Sequence, residues 1–469
     1  MMSSQLPIPV PGSFRDPSGR VYQLENEIFR TVSLEFSSEF EFVESTGFFE
    51  KACREKLLLA FDKVTPDWFA AMGPEVKYVL KAPMLPMVSF PYEWPFLALK
   101  EAALLHLKLQ LMALDFEVTL SDASAYNVQF QGSQAIFIDH LSFRQYREGE
   151  IWVGHRQFCE QFLLPLLMRA FFGITPNAWY RGGQEGITAT DFKRLLGWRH
   201  YLNINVLTHI VLPASLQRST LDKSLSLEKG SLAQAGLPKS SFKRMLQKLY
   251  NWIEPLAPAD TGKTVWKDYA QNHSYSTEEV EIKKQFIAEF VREAKPGILW
   301  DLGCNTGDYS VAAMEAGAGY VVGLDFDLGA LDLAFSRSKE SHLPFQVLFM
   351  DAANPSPNQG WKGTERQSLA SRAKGNALIA LALIHHLAIS RNIPLEDALD
   401  WLMSLAPMGV IEFVPKEDAM VKKLLSCRED IFPFYTEESC LTFIRSKGKV
   451  IKTVKTSQSG RLLIWYSRT

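Results

Sequence analysis

The stretch that decides the fold runs Ile298-Leu299-Trp300-Asp301-Leu302-Gly303-Cys304-Asn305-Thr306-Gly307-Asp308, then a short amphipathic segment, then Tyr320-Val321-Val322-Gly323-Leu324-Asp325-Phe326-Asp327. Two short apolar runs separated by a helical pattern read as parallel strands joined by a crossover. Gly303 ends the first run, and its missing Cβ lets the backbone turn sharply and come close to a ligand; Gly307 repeats that allowance. Asp325 ends the second run at the carboxyl edge of the sheet, where parallel sheets bind ligands, and an acidic group there accepts the hydroxyls of a ribose without a 2′-phosphate. The spacing of Gly303 and Gly307 is not the G-x-G-x-x-G of a dinucleotide site.

Outward from this core the C-terminal third alternates strand and helix patterns, as a doubly wound α/β sheet does. Phe345 to Met350 reads as a third strand, Ala377 to Leu383 as a fourth and Gly409 to Val414 as a fifth. Lys449 to Thr456 and Arg461 to Tyr466 flank Ser457-Gln458-Ser459-Gly460 and read as a hairpin.

The pattern Asp-x-Gly-x-x-x-Gly, led by Asp301, resembles the class I S-adenosylmethionine-dependent methyltransferases. The resemblance spans about Trp266 to Thr469. It implies a Rossmann-like sheet closed by an antiparallel terminal hairpin, with S-adenosyl-L-methionine as cofactor. It also implies cofactor-binding roles for Asp301 (facing the cationic methionine end), Gly303, Asn305, Gly307, Asp325 and Phe326. Asp351 and Ala352, after the third strand, would meet adenine. Tyr269 and Tyr275, in the segment before the first strand, would lie over the cofactor or simply pack.

Ala382-Leu383-Ile384-His385-His386-Leu387 puts two histidines at the carboxyl edge, where either is a candidate general base because histidine titrates near neutrality. Adjacent residues project in different directions and no third ligand is evident, so no metal is expected there. Glu412 interrupts the apolar fifth strand, where a lone carboxylate is costly; it has a partner or lines the cleft, and its position favours the cleft. The polar stretch from Gly360 through Glu365 and Arg366 to Arg372 either caps the pocket, binds an anionic acceptor or forms a solvated helix.

The N-terminal half carries a separate signal in Leu120 to Phe143. Asp122, Asn127 and Asp139 reproduce the spacing by which this stretch resembles the catalytic segment of protein-kinase-like folds. The long helical pattern Leu97 to Leu114 precedes it, and Phe90 to Trp94 would be the hinge. The departures are a missing glycine-rich loop, Leu120-Ser121 in place of His-Arg, and His140 in place of Phe. The resemblance therefore implies a degenerate α+β kinase-like domain that holds the acceptor, docks a carrier or regulates its neighbour. A plain β-turn-β element with Asp122 and Asn127 capping local backbone fits the same residues.

A chain of 469 residues, 47% hydrophobic and 22% charged, has room for two or three domains. The expected division is 1–214 (kinase-like), 215–264 (a helical interdomain segment, from its Ser, Lys and Pro content) and 265–469 (methyltransferase-like). A net charge of −2 exerts no general pull on nucleic acid or anionic membrane, so neither partner is expected and a small-molecule acceptor is favoured. Five scattered cysteines without a C-x-x-C pair suit a reducing cytoplasm. The opening residues do not read as a secretory signal, and Phe162 to Ile174, too short to span a bilayer, reads as a buried helix.

Asp122-Ala123-Ser124-Ala125-Tyr126-Asn127, His273-Ser274-Tyr275-Ser276 and the stretch Leu381 to Leu395 together resemble bacterial methyltransferases grouped with the NoeA-type nodulation proteins. That implies methyl transfer to a small-molecule or carbohydrate-like acceptor. A non-catalytic nucleotide sensor and a bifunctional kinase-methyltransferase are the alternatives. The sequence sets neither the acceptor nor the oligomeric state.

Overall fold

A computed structural model of the chain describes residues 7–214, 236–260, 277–426, 428–456 and 459–468. Its first sheet is antiparallel: β1 (Ile8–Pro9), β2 (Val21–Leu24), β3 (Glu27–Ser33), β4 (Asp62–Val64) and β5 (Val76–Pro83) lie in the order β1-β2-β3-β5-β4. The helix Phe96–Asp115 follows, free of interior Gly and Pro, and it buries Leu99, Ala103, Leu107 and Leu114. β6 (Val118–Leu120) then pairs with β9 (Phe143–Gln145), and β7 (Val128–Gln131) with β8 (Gln134–Phe137). The β7–β8 loop needs a glycine twice over. Gly132 has φ +62°, and a Cβ there would stand 2.5 Å from the Leu343 carbonyl.

The second sheet comprises β10 (Ile298–Leu302), β11 (Tyr320–Asp325), β12 (Phe345–Phe349), β13 (Ala377–Ala380), β14 (Met408–Phe413), β15 (Lys449–Lys455) and β16 (Leu462–Ser467). Their order is β12-β11-β10-β13-β14-β16-β15, with β10 to β14 parallel and β16 antiparallel to both its neighbours. The connections leave β10 on opposite sides, so a crevice opens at its carboxyl end. The strands match those read from the sequence except that β13 stops at Ala380 rather than Leu383. Ala382 takes a left-handed φ of +48°, and its N–H is bound by the Glu412 carboxylate at 2.9 Å instead of a neighbouring strand. The apolar tract from Phe162 forms a π-helical turn, Cys159–Leu163, and the buried helix Leu164–Phe172. Among the described residues no helix is long and apolar enough to cross a membrane.

The two sheets' surroundings are joined by buried polar contacts. Gly132 N–H donates to the Tyr320 hydroxyl at 2.8 Å, and that hydroxyl donates to Gln346 at 3.0 Å. Arg169 bonds Asp332 at 2.9 Å and Asp260 at 3.2 Å. The polar stretch Gly360 to Arg372 proves to be part of this junction, not a cap or a solvated helix. Glu365 pairs with Arg15 at 2.7 Å, Arg372 pairs with Glu93, and the Arg366 guanidinium lies 4.0 Å from the Tyr126 ring centroid. Phe90 to Trp94, expected as a hinge, supplies Glu93 to this contact.

His106 illustrates how burial sets acid sensitivity. It sits among Trp152, Phe158 and Phe162, and neither ring nitrogen has a partner among the described residues. Burial pushes its pKa down to about 3. The unfolded chain takes up this proton near pH ~6.5 and the folded chain does not, so the stability present above that pH is progressively lost on acidification. His106→Leu removes the penalty. Relative to the wild type, the variant should gain about 2 kcal/mol between about pH 8 and about pH 5. Urea unfolding at the two pH values checks this; a pH-independent difference would contradict it.

Candidate functional site

The chain leaves β10 through Gly303 (φ +81°), Asn305 (φ +49°) and Gly307 (φ +85°). The Gly303 and Cys304 N–H groups both donate to the Leu324 carbonyl, at 2.7 and 3.1 Å, which ties this loop to β11. A Cβ on Gly307 would stand 2.7 Å from the Phe345 ring, so this glycine serves close packing beneath the loop. The loop floors a cavity of about 630 Å³ at the carboxyl edge of the sheet.

Asp325 forms one wall. Its carboxylate accepts from Asn305 N–H at 2.8 Å and Asp327 N–H at 2.9 Å, holding the loop against the strand end. Burial raises its pKa, while those backbone hydrogen bonds oppose the shift. Phe326 stands half exposed at the rim. Asp351 and Ala352 continue the wall from the end of β12. Asp351 accepts from Ala353 N–H at 3.0 Å and pairs with Arg391 at 3.1 Å, a partner the sequence did not reveal.

The opposite wall includes Leu383 and His386. Burial, then the nearby Arg461, depresses the His386 pKa to about 4, so its imidazole is neutral at pH 7. His385 lies beside it, the rings tilted at 37° with centroids 4.1 Å apart, but is fully buried and off the cavity wall. Among the described residues neither of its nitrogens has a hydrogen-bond partner, and burial holds its pKa well below the ordinary value.

Two expected positions turn away from the cavity. Asp301 is buried and accepts from the Ser310 hydroxyl at 2.6 Å, pinning the helix Asp308–Glu315. Burial pushes its pKa up to about 7. Glu412 is also fully buried and off the wall; it pairs with Lys283 at 2.8 Å and accepts the Ala382 N–H. Its position at the strand end therefore reflects a partner rather than the cleft. Lys283 sits in the apolar stripe of the helix Thr277–Ala294, between Val280 and Ile287, and that misplaced charge was the available signal. Lys283 itself, Lys284 and Tyr309 also line the cavity and were not anticipated. Tyr269 and Tyr275 lie outside the described residues.

In the N-terminal half, Asp122, Asn127 and Asp139 come together. Asn127 donates to Asp122 at 3.1 Å, and the Ser142 hydroxyl contacts Asp139 at 2.7 Å and Asp122 at 3.3 Å. Burial, reinforced by Asp139, pushes the Asp122 pKa up to about 6. Arg30 pairs with Asp139 at 2.9 Å. His140 bonds the Leu59 carbonyl at 2.7 Å and packs edge-on to Phe61.

No family model matches the chain. The nodulation protein NoeA of Rhizobium meliloti (strain 1021) is 45% identical over 461 residues, covering 98% of this chain and 96% of the relative. Among solved structures, the magnesium protoporphyrin IX methyltransferase of Synechocystis PCC 6803 with bound SAH aligns over 44% of this chain and 93% of its own, at 16% identity and a TM-score of 0.31. The N-methyltransferase NodS of Bradyrhizobium japonicum WM9 aligns over 41% and 97%, at 11% identity and 0.31. The bifunctional kinase-methyltransferase WbdD aligns over 43% of this chain and 42% of its own, at 14% identity and 0.31.

Proposed function

This chain belongs to the family of the nodulation protein NoeA, and we propose that it is an S-adenosyl-L-methionine-dependent methyltransferase acting on a small-molecule or carbohydrate-like acceptor. The observation that carries the reading is the Asp325 carboxylate, fixed by two backbone hydrogen bonds at a strand end, on the wall of a 630 Å³ cavity floored by the Gly303 loop. The residues fit the cofactor: cavities of about 300–1,000 Å³ suit such ligands. Asp325 would hold the ribose and Asp351 and Ala352 the adenine, with Asn305 at the loop. When bound, the cofactor supplies a methyl group activated by its sulfonium.

The chain's own task is to align the acceptor, exclude water and receive a proton where the acceptor carries one. Of the candidate bases, only His386 reaches the cavity. Glu412 instead accepts the Ala382 N–H and pairs with Lys283, which lines the cavity together with Ala382, and His385 lies beside His386. The N-terminal half is assigned a non-phosphorylating, kinase-like role in acceptor binding, in keeping with the guanidinium of Arg30 occupying Asp139. A cytoplasmic location accords with this reading.

His386→Ala should leave S-adenosylhomocysteine affinity within about twofold and lower the methyl-transfer rate by about 10²-fold or more, the usual worth of a positioned base. Release of S-adenosylhomocysteine from labelled donor, screened over hydroxyl- and amine-bearing small acceptors, provides the readout. The wild-type rate should hold constant down to about pH 5 and fall as His386 protonates near 4. An unchanged rate in the variant would remove His386 from the chemistry.

A further inference from the structure

A second cluster with its own chemistry lies away from the cleft, in the helical layer of the N-terminal half. His155 and Cys159 are four residues apart, on one face of one helical segment, and His209 reaches them from another. His155 Nε2 and His209 Nδ1 are 2.8 Å apart, Cys159 Sγ is 3.6 Å from His155 Nε2, and all three donor atoms lie within 4.8 Å of one another. Cys159 and His209 are buried.

These spacings are close to those of a tetrahedral metal centre. Zn–N bonds of about 2.05 Å and a Zn–S bond of about 2.3 Å put sulfur and nitrogen about 3.6 Å apart and two nitrogens about 3.4 Å apart. The Cys159–His155 distance already matches, the two imidazoles need part by about half an ångström, and Cys159 and His209, within 4.8 Å of one another, close the third side of the site. Both backbone segments are distorted at the ligands. Cys159 opens the π-helical turn Cys159–Leu163, and His209 is the centre of another, Leu207–Val211. Such widened turns recur at functional sites. The rings are also held in place: Trp252 stacks on His209 at 6.2 Å and Trp152 stands edge-on to His155 at 5.6 Å.

We propose that His155, Cys159 and His209 bind one zinc ion, with the fourth coordination position taken by water or an exogenous ligand. A donor set of two imidazoles and a thiolate suits zinc and disfavours magnesium and calcium, which take oxygen. On binding, the Cys159 thiol releases its proton to solvent. The proton shared between the imidazoles shifts to the outer nitrogen of its ring, leaving both inner nitrogens free to coordinate. The ion fastens the segment around Cys159 to that around His209, on a different part of the chain from the methyl-transfer cleft.

The test uses the full-length chain, stripped with a chelator and reloaded with Zn²⁺ or Co²⁺. One equivalent of zinc per chain and a thiolate-to-cobalt charge-transfer band are expected in the wild type. The band should vanish in Cys159→Ala, and stoichiometric zinc should be lost in His209→Gln, whereas His386→Ala keeps both. The cobalt spectrum is read on the unmutated protein, so a variant that fails to fold leaves the proposal testable. A wild-type chain that binds no stoichiometric zinc and shows no thiolate band overturns it, as does zinc binding that survives Cys159→Ala and His209→Gln together.

Discussion

Asp325→Ala should strip out most of the cofactor affinity: S-adenosylhomocysteine raises the unfolding temperature of the wild-type chain and that of the variant by a small fraction of that shift at most. A ligand at about one hundred times its dissociation constant stabilises the folded state by roughly 2.7 kcal/mol, so the wild-type shift is large enough to read. The variant loses twice. The carboxylate that would accept the ribose hydroxyls is gone, and hydrogen bonds to a charged group contribute about 1.5–3 kcal/mol each. The loop also loses its anchor, because Asn305 N–H and Asp327 N–H both donate to that carboxylate. Together these predict a weakening of at least about a hundredfold. Asp325→Asn keeps an acceptor oxygen without the charge and should fall between. A shift undiminished in Asp325→Ala would place the ligand elsewhere on the molecule.

The largest expected loss of stability comes from a residue off the cavity wall. Arg372 donates to both oxygens of Glu93, at 2.5 and 3.1 Å, with both side chains almost completely buried. Its guanidinium also bonds the Val88 carbonyl and lies 4.3 Å from the Phe90 ring centroid. Arg372→Met strands the Glu93 carboxylate in a dry junction with Phe90 N–H as its remaining hydrogen-bond donor among the described residues, and should cost about 3–5 kcal/mol. Replacing both partners, Arg372→Met with Glu93→Leu, should recover much of that, since a well-packed apolar pair is often no worse than a buried ion pair. Urea midpoints of the two single variants and the double variant measure this directly. A single variant within about 1 kcal/mol of the wild type would mean that the pair does not anchor the junction.

What the sequence revealed and what it hid divide along range. The strands of the second sheet were legible because apolar runs bounded by Gly, Asn and Asp are local signals, and Gly303, Asp325 and Asp351 follow from their ends. Asp301 was read toward the cleft by the same local logic, whereas its carboxylate accepts from Ser310. Side chains alternate across a strand, and the motif alone did not show that its face points to Ser310 rather than to the cleft. Glu412 announced that it needed a partner, but Lys283 lies 129 residues away. Arg372 and Glu93 are 279 residues apart, so the stretch that reads as a loose polar cap is in fact an interface. His209 is 54 residues from His155, so nothing local in the sequence shows that the two rings meet. Ala382 gives no sequence signal at all, since alanine has no preference for the left-handed conformation that its neighbours impose.

The most direct test of the account is a calorimetric titration of S-adenosylhomocysteine into the unmutated full-length chain. One saturable site per chain, displaced by S-adenosyl-L-methionine, is the predicted result. Absence of binding at millimolar ligand would contradict the assignment of the cleft and, with it, methyl transfer as the activity of this protein.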